Sequence, residues 1–97
     1  MINSFANAGT EDIYHGNNSK IARRTLPNYL HPIAKRKLDM IDSSYMVTDL
    51  KIPPSNHLEA LSGNLSGYYS IRINNQWRII FRWSDLGADN VEIIDYH

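Results

Sequence analysis

The chain has 97 residues, 42% of them hydrophobic, with two Trp, six Tyr, no cysteine and ten Lys+Arg balanced by ten Asp+Glu. That length supports one small domain, residues 1–97, near the lower limit for burying a self-sufficient core, and the missing cysteines exclude disulfide scaffolds, thiol chemistry and thiolate zinc sites. No apolar run approaches the ~20 residues of a membrane-crossing helix and no secretory leader opens the chain, so a cytoplasmic protein without membrane attachment is expected.

In chain order, Met1–Phe5 reads as a short strand because Ile2 alternates with polar neighbours. Thr10 before Glu11 and Asp12 predicts an N-cap and an acidic first turn of a short helix, ended by Gly16-Asn17-Asn18. Ala34, Leu38 and Ile41 fall at i, i+4 and i+7 and predict a second helix from about Pro32 to Ser43-Ser44. Residues 45–57 lack periodicity and contain Pro53-Pro54, so they read as a connector tacked to the core by Val47, Leu50 and Ile52. Gly63 and Gly67 frame a turn into the strongest pattern of the chain, where Tyr69, Ile71 and Ile73, then Trp77, Ile79, Phe81 and Trp83, alternate with other residues. Val91–Tyr96 supplies a last strand after the Gly87 turn. The expected fold class is α+β: an N-terminal short strand, two helices, then an antiparallel sheet of three further strands.

The hairpin's phase decides what its two faces carry. A two-residue Asn74-Asn75 loop would set Arg72 opposite Trp77 and mix core with solvent positions. The three-residue loop Asn74-Asn75-Gln76 instead pairs Ile73 with Trp77, Arg72 with Arg78, Ile71 with Ile79, Tyr69 with Phe81 and Tyr68 with Arg82. One sheet face is then apolar, and the other carries Arg72, Arg78, Arg82 and Tyr68 and should be partly open.

Neutral net charge would speak against a nucleic-acid partner if the charges were evenly mixed. They are not. Lys20, Arg23, Arg24, Lys35, Arg36 and Lys37 lie in a stretch without acids, and Asp85, Asp89, Glu92 and Asp95 lie in one without bases. Arginine clusters suit phosphates through their planar fork of donors, and neighbouring aromatic rings suit stacking on splayed bases. Metal-independent RNA cleavage needs a group to take the 2′-hydroxyl proton, a group to protonate the leaving 5′-oxygen and cations around the phosphorane. Glu59, Asp95, Tyr96 and His97 are candidate proton-transfer groups, and Arg78 is a candidate charge stabiliser. The alternative is that Arg72 and Arg78 form a solvated cross-strand pair. Four scattered histidines lack metal-helix spacing, so no metal and no cofactor is expected, and Gly63–Gly67 lacks the Lys-Ser/Thr of a phosphate-binding loop.

Leu58-Glu59-Ala60-Leu61-Ser62-Gly63, Gly67-Tyr68-Tyr69-Ser70-Ile71, Gln76–Trp83 and the terminal Asp95-Tyr96-His97 resemble the HigB toxins of the RelE/ParE toxin–antitoxin superfamily; Met1–Phe5 and Ala34–Leu38 fit as well. The resemblance implies an endonuclease that enters the ribosome (30S A site) and cuts mRNA there by attack of the 2′-hydroxyl on the adjacent phosphate. It also implies neutralisation by a HigA-type helix-turn-helix antitoxin, with operator DNA bound only through that complex. By position, Arg78 would stabilise phosphate charge, while Asp95, Tyr96 and His97 would bind, orient and transfer protons. Arg72, Arg82, Tyr68, Arg36 and Lys37 would contact RNA. Two departures stand out: Glu59 occupies a position where some members carry His, and Ser62 one where Lys is usual. His57 could share a face with Glu59 were that segment extended. The competing readings are a non-catalytic ParE-like toxin acting on DNA gyrase and a weakly toxic partner that only binds antitoxin.

Overall fold

Local capping and apolar spacing decide where the helices form. The computed structural model describes residues 1–96. Three helices, α1 (Ala8–Tyr14), α2 (Lys20–Thr25) and α3 (His31–Ser43), precede four strands, β1 (Glu59–Ala60), β2 (Tyr68–Arg72), β3 (Trp77–Ser84) and β4 (Gly87–Asp95). Asn7, not Thr10, caps α1: its side-chain oxygen accepts from the Thr10 N–H at 2.8 Å. Thr10 lies inside the helix and is fully buried, and its hydroxyl accepts from the Ile93 N–H of β4 at 3.1 Å.

The sequence reading counted two helices and overlooked α2. Its signal was Ser19, which accepts from the Ala22 N–H at 3.1 Å, followed by Ala22 and Leu26, both fully buried at i, i+4 spacing. The two short helices cross closely at Gly9, where a β-carbon would stand 1.8 Å from Thr25 Oγ1. Helix α3 begins as expected, with Pro32 in its first turn where the missing N–H costs no hydrogen bond. Its stripe Ala34, Leu38 and Ile41 is fully buried. The connector folds into tight turns at Val47–Lys51 and Pro54–Asn56. Leu50 is buried and Val47 packs on the core, but Ile52 is exposed and does not tack the segment down.

The sheet order is β1-β2-β3-β4, antiparallel throughout. The β2–β3 register pairs Tyr68 with Arg82, Tyr69 with Phe81, Ile71 with Ile79 and Arg72 with Arg78, as the three-residue loop required. Asn74 closes that loop by accepting from the N–H groups of Gln76 and Trp77 at 2.9 and 2.8 Å. A register shift after Ile80 sets Asn90 and Val91 together against Phe81, with Asn90 at φ 52°. The N-terminal strand is reduced to two parallel bridges, Ile2 to Ala88 and Phe5 to Val91, along the outer edge of β4. The two-residue strand β1 lies on the opposite edge, in a segment for which the sequence predicts no strand.

Helices cover one face of the sheet only. Ala22, Leu26, Ala34, Leu38 and Ile41 form one core with Ile71, Ile79, Phe81, Val91 and Ile93. Asp42 on α3 ties the other elements to it, accepting from the Ile2 N–H at 2.8 Å and the Tyr14 hydroxyl at 3.0 Å. Burial, helped by the hydrogen bond to the Asp42 carboxylate, raises the Tyr14 phenol above its ordinary value. Among the described residues no helix is long and apolar enough to cross a membrane.

Candidate RNA-cleaving site

The second face of the sheet follows from alternation. Arg78, Ile80 and Arg82 of β3 point away from the helices, as do Tyr68, Ser70 and Arg72 of β2, while Glu59 of β1 pairs with Ser70 and shares that face. On β4, Glu92 and Ile94 oppose Ile80 and Arg78 on the same face. This face is open at its rim, where Arg82 is exposed and Arg72 and Tyr68 are half-buried. Its centre is not: Ser70, Arg78 and Ile80 are buried.

Arg78 is the centre of the site. Its guanidinium, 4% exposed, donates through Nη2 to Glu59 Oε1 at 2.8 Å and through Nη1 to the buried Ser70 hydroxyl, and it stands 5.2 Å from the centre of the Tyr96 ring. The strands explain the convergence. Glu59 reaches Arg78 because β1 aligns it with Ser70, two residues along the same face from Arg72, the direct partner of Arg78. Two arginines directly opposed across strands repel; the Glu59 carboxylate, half-exposed, offsets that repulsion at Arg78. Arg72 makes no ion pair among the described residues. A second guanidinium–aromatic pair lies further along the face, with Arg82 Cζ 4.6 Å from the Tyr68 ring centre.

The proposed site residues therefore divide. Glu59, Arg78 and Tyr96 come together, with Arg72 beside them and Arg82 and Tyr68 on the same face. Asp95 does not join them: it pairs with Trp77, on the core side of the strand, and accepts from Gln76 Nε2 at 3.0 Å. Arg36 and Lys37 belong to α3, on the far side of the sheet. Arg36 is exposed there, but Lys37 is not a surface cation: it is buried and donates to Asn56 Oδ1. Burial, with Arg36 nearby, lowers the Lys37 ammonium below its ordinary value. His57 is in the left-handed region at φ 47°, so the segment is not extended there, as a shared face with Glu59 would require. His97 lies outside the described residues. Ser70 was missed, although the hairpin register alone puts it on the arginine face.

Among the described residues no three His, Cys, Asp or Glu side chains gather as a metal site. A cavity of about 360 Å³ lined by Ile13, Asn18, His31, Pro32 and Lys35 lies on the helical side and shares no residue with the cluster.

The helix-backed antiparallel sheet is a RelE-type toxin fold. The solved YoeB-YefM complex from Staphylococcus aureus shares the fold, with a TM-score of 0.61 at 21% identity over 100% of this chain and 98% of that one. Within that class the chain belongs to the HigB family: residues 3–97 match the family described as RelE-like toxin of type II toxin-antitoxin system HigB. It is 45% identical over 62 residues to Toxin HigB-1 of Vibrio cholerae serotype O1, a match covering 64% of this chain and 65% of that protein. A Haemophilus influenzae protein is 41% identical over 66 residues, covering 68% and 65%. The chain thus spans about two thirds of the curated relatives it matches.

Proposed function

We propose that this toxin is a ribosome-dependent mRNA endonuclease, inhibiting translation and growth. The observation that supports it best is Arg78, a buried guanidinium held between a carboxylate and an aromatic ring on a face that no helix covers. A cation fixed in this way needs little reorganisation when charge develops on a phosphorane. In the reaction the 2′-oxygen attacks phosphorus, the P–O5′ bond breaks, and a 2′,3′-cyclic phosphate remains. Glu59 takes the 2′-hydroxyl proton. Arg78, joined by Arg72, neutralises the non-bridging oxygens. Tyr96 and His97 of the terminal motif are the candidates to protonate the 5′-oxygen. The A site supplies the geometry of the mRNA, which a neutral chain would bind weakly by itself. A HigA-type helix-turn-helix antitoxin neutralises the toxin, and the complex, not the toxin alone, reads operator DNA.

The test is induced expression followed by mapping of mRNA 5′ ends, with Arg78→Lys and a chain lacking His97 as controls. Codon-phased cuts that need translation and vanish in Arg78→Lys support the nuclease. Intact mRNA with toxicity relieved by altered gyrase would replace it with the ParE-like reading. Antitoxin binding with neither cleavage nor toxicity would leave only the binding partner.

A further inference from the structure

The Arg78 cluster occupies one end of the open face, and the other end repeats its chemistry. Arg82 and Tyr68 are directly opposed across β2 and β3, and the guanidinium lies 4.6 Å from the ring centre. Gly67 makes room for that arrangement: a β-carbon there would stand 3.1 Å from Arg82 Nη1, and its φ of 91° suits glycine alone. An exposed cation–π pair is worth only about 0.5–1 kcal/mol to the fold, so stability does not call for it.

Charge gives the face a direction. Glu92 opposes Ile80 and Asp89 opposes Arg82, so β4 presents acids beside the middle of the face and its Arg82 end, whereas β2 presents Arg72 and no acid. A polyanion crossing from Arg78 to Arg82 is repelled by the acids of β4 on one side, while on the other the Glu59 carboxylate of β1 is paired with Arg78, so its path lies over β2 and β3. The two arginines are four residues apart on one strand, about 13 Å, the reach of roughly two nucleotide steps.

We infer that Tyr68, Arg82 and Gly67 form a second subsite that stacks a nucleobase of the bound strand about two nucleotides from the phosphate held at Arg78. It rests on the RNA reading above and deepens it. Tyr68 supplies the ring for the base. Arg82 is pinned on that ring and turns its remaining donors to the adjoining phosphate. The scissile step needs neither group, so the subsite acts on binding and on the register of the cut.

The test couples a change in the protein to a change in the RNA. Ribosomes are programmed with mRNA whose scissile 2′-hydroxyl is replaced by hydrogen, so that binding is read without cleavage, and one nucleotide at a time is made abasic. For the unaltered toxin, an abasic nucleotide about two steps from the scissile phosphate should weaken binding by about 5- to 100-fold. Tyr68→Leu should weaken binding to intact mRNA by a similar factor and be indifferent to that lesion. Tyr68→Phe, which keeps the ring, should retain the sensitivity. With cleavable mRNA, Tyr68→Leu should raise KM by a similar factor and spread the cuts over neighbouring positions. If the effects of Tyr68→Leu and the lesion multiply independently at every position, the subsite is refuted, whatever cleavage does. Coupling in binding without cleavage by the unaltered toxin would uphold the subsite and overturn the nuclease reading.

Discussion

Asn56→Leu should be among the most destabilising single changes outside the apolar core. Asn56 is fully buried; its oxygen accepts from Lys37 Nζ and its amide donates to the Leu50 carbonyl at 3.1 Å. Removing the acceptor strands an ammonium that is 8% exposed, a loss of about 3–5 kcal/mol, with roughly 1 kcal/mol more for the orphaned carbonyl. The protein can escape part of this by releasing the Lys37 proton. Starting from the ordinary value of 10.5, release at pH 7 costs about 5 kcal/mol, at 1.36 per pH unit, so the escape gives little relief. At pH 9.5 the same release costs only about 1.4 kcal/mol. The loss should therefore be about 5 kcal/mol at pH 7 and fall to about 2 at pH 9.5. The sign follows from linkage. Lys37 is lowered in the folded state, which then binds fewer protons than the unfolded chain, so stability rises with pH between the lowered value and 10.5. The variant should show the steeper rise. Urea unfolding followed by the fluorescence of Trp77 and Trp83 measures both, and Lys37→Met/Asn56→Leu should recover most of the loss because an apolar pair leaves no charge stranded. A variant within 1 kcal/mol of the unaltered protein at pH 7, or one equally weakened at both pH values, would refute this account.

Thr10→Val keeps the shape of a buried side chain but leaves the Ile93 N–H without its acceptor; calorimetry should show a loss of about 1–3 kcal/mol. Glu59→Gln should change stability by about 1 kcal/mol or less, since the Glu59 side chain is half-exposed, yet lower single-turnover cleavage by about 10²-fold or more; unchanged cleavage would remove Glu59 as the base. Ser62→Lys places a cation on an exposed position two residues beyond β1 and should raise ribosome-dependent cleavage by about tenfold, measured by primer extension. No gain would show that a cation at position 62 contributes nothing to cleavage.

The sheet was legible because one-residue slips are costly. Ile71, Ile79 and Phe81 can be buried together in one register only, and that register alone assigns Arg72, Arg78, Arg82 and Tyr68 to the other face. What stayed hidden depended on contacts between elements distant in sequence. Thr10 resembles a cap, but its hydroxyl serves β4, 83 residues away. Lys37 sits in a run of three cations that reads as an exposed RNA contact, and only the packing of Asn56 against α3 buries it. Strand β1 is too short to show alternation, and only its pairing with Ser70 brings Glu59 to Arg78.

The terminal motif shows how alternation divides labour among adjacent residues. Asp95 and Tyr96 are neighbours in sequence, so a strand must turn them to opposite faces. Tyr96 meets the Arg78 guanidinium, whereas Asp95 pairs with Trp77. Gln76 joins the two: its side chain donates to Asp95, and its carbonyl accepts from the Tyr96 N–H at 2.8 Å. The last residue of the hairpin loop thereby grips the chain on both sides of the Asp95–Tyr96 peptide and fixes where the Tyr96 ring stands over Arg78.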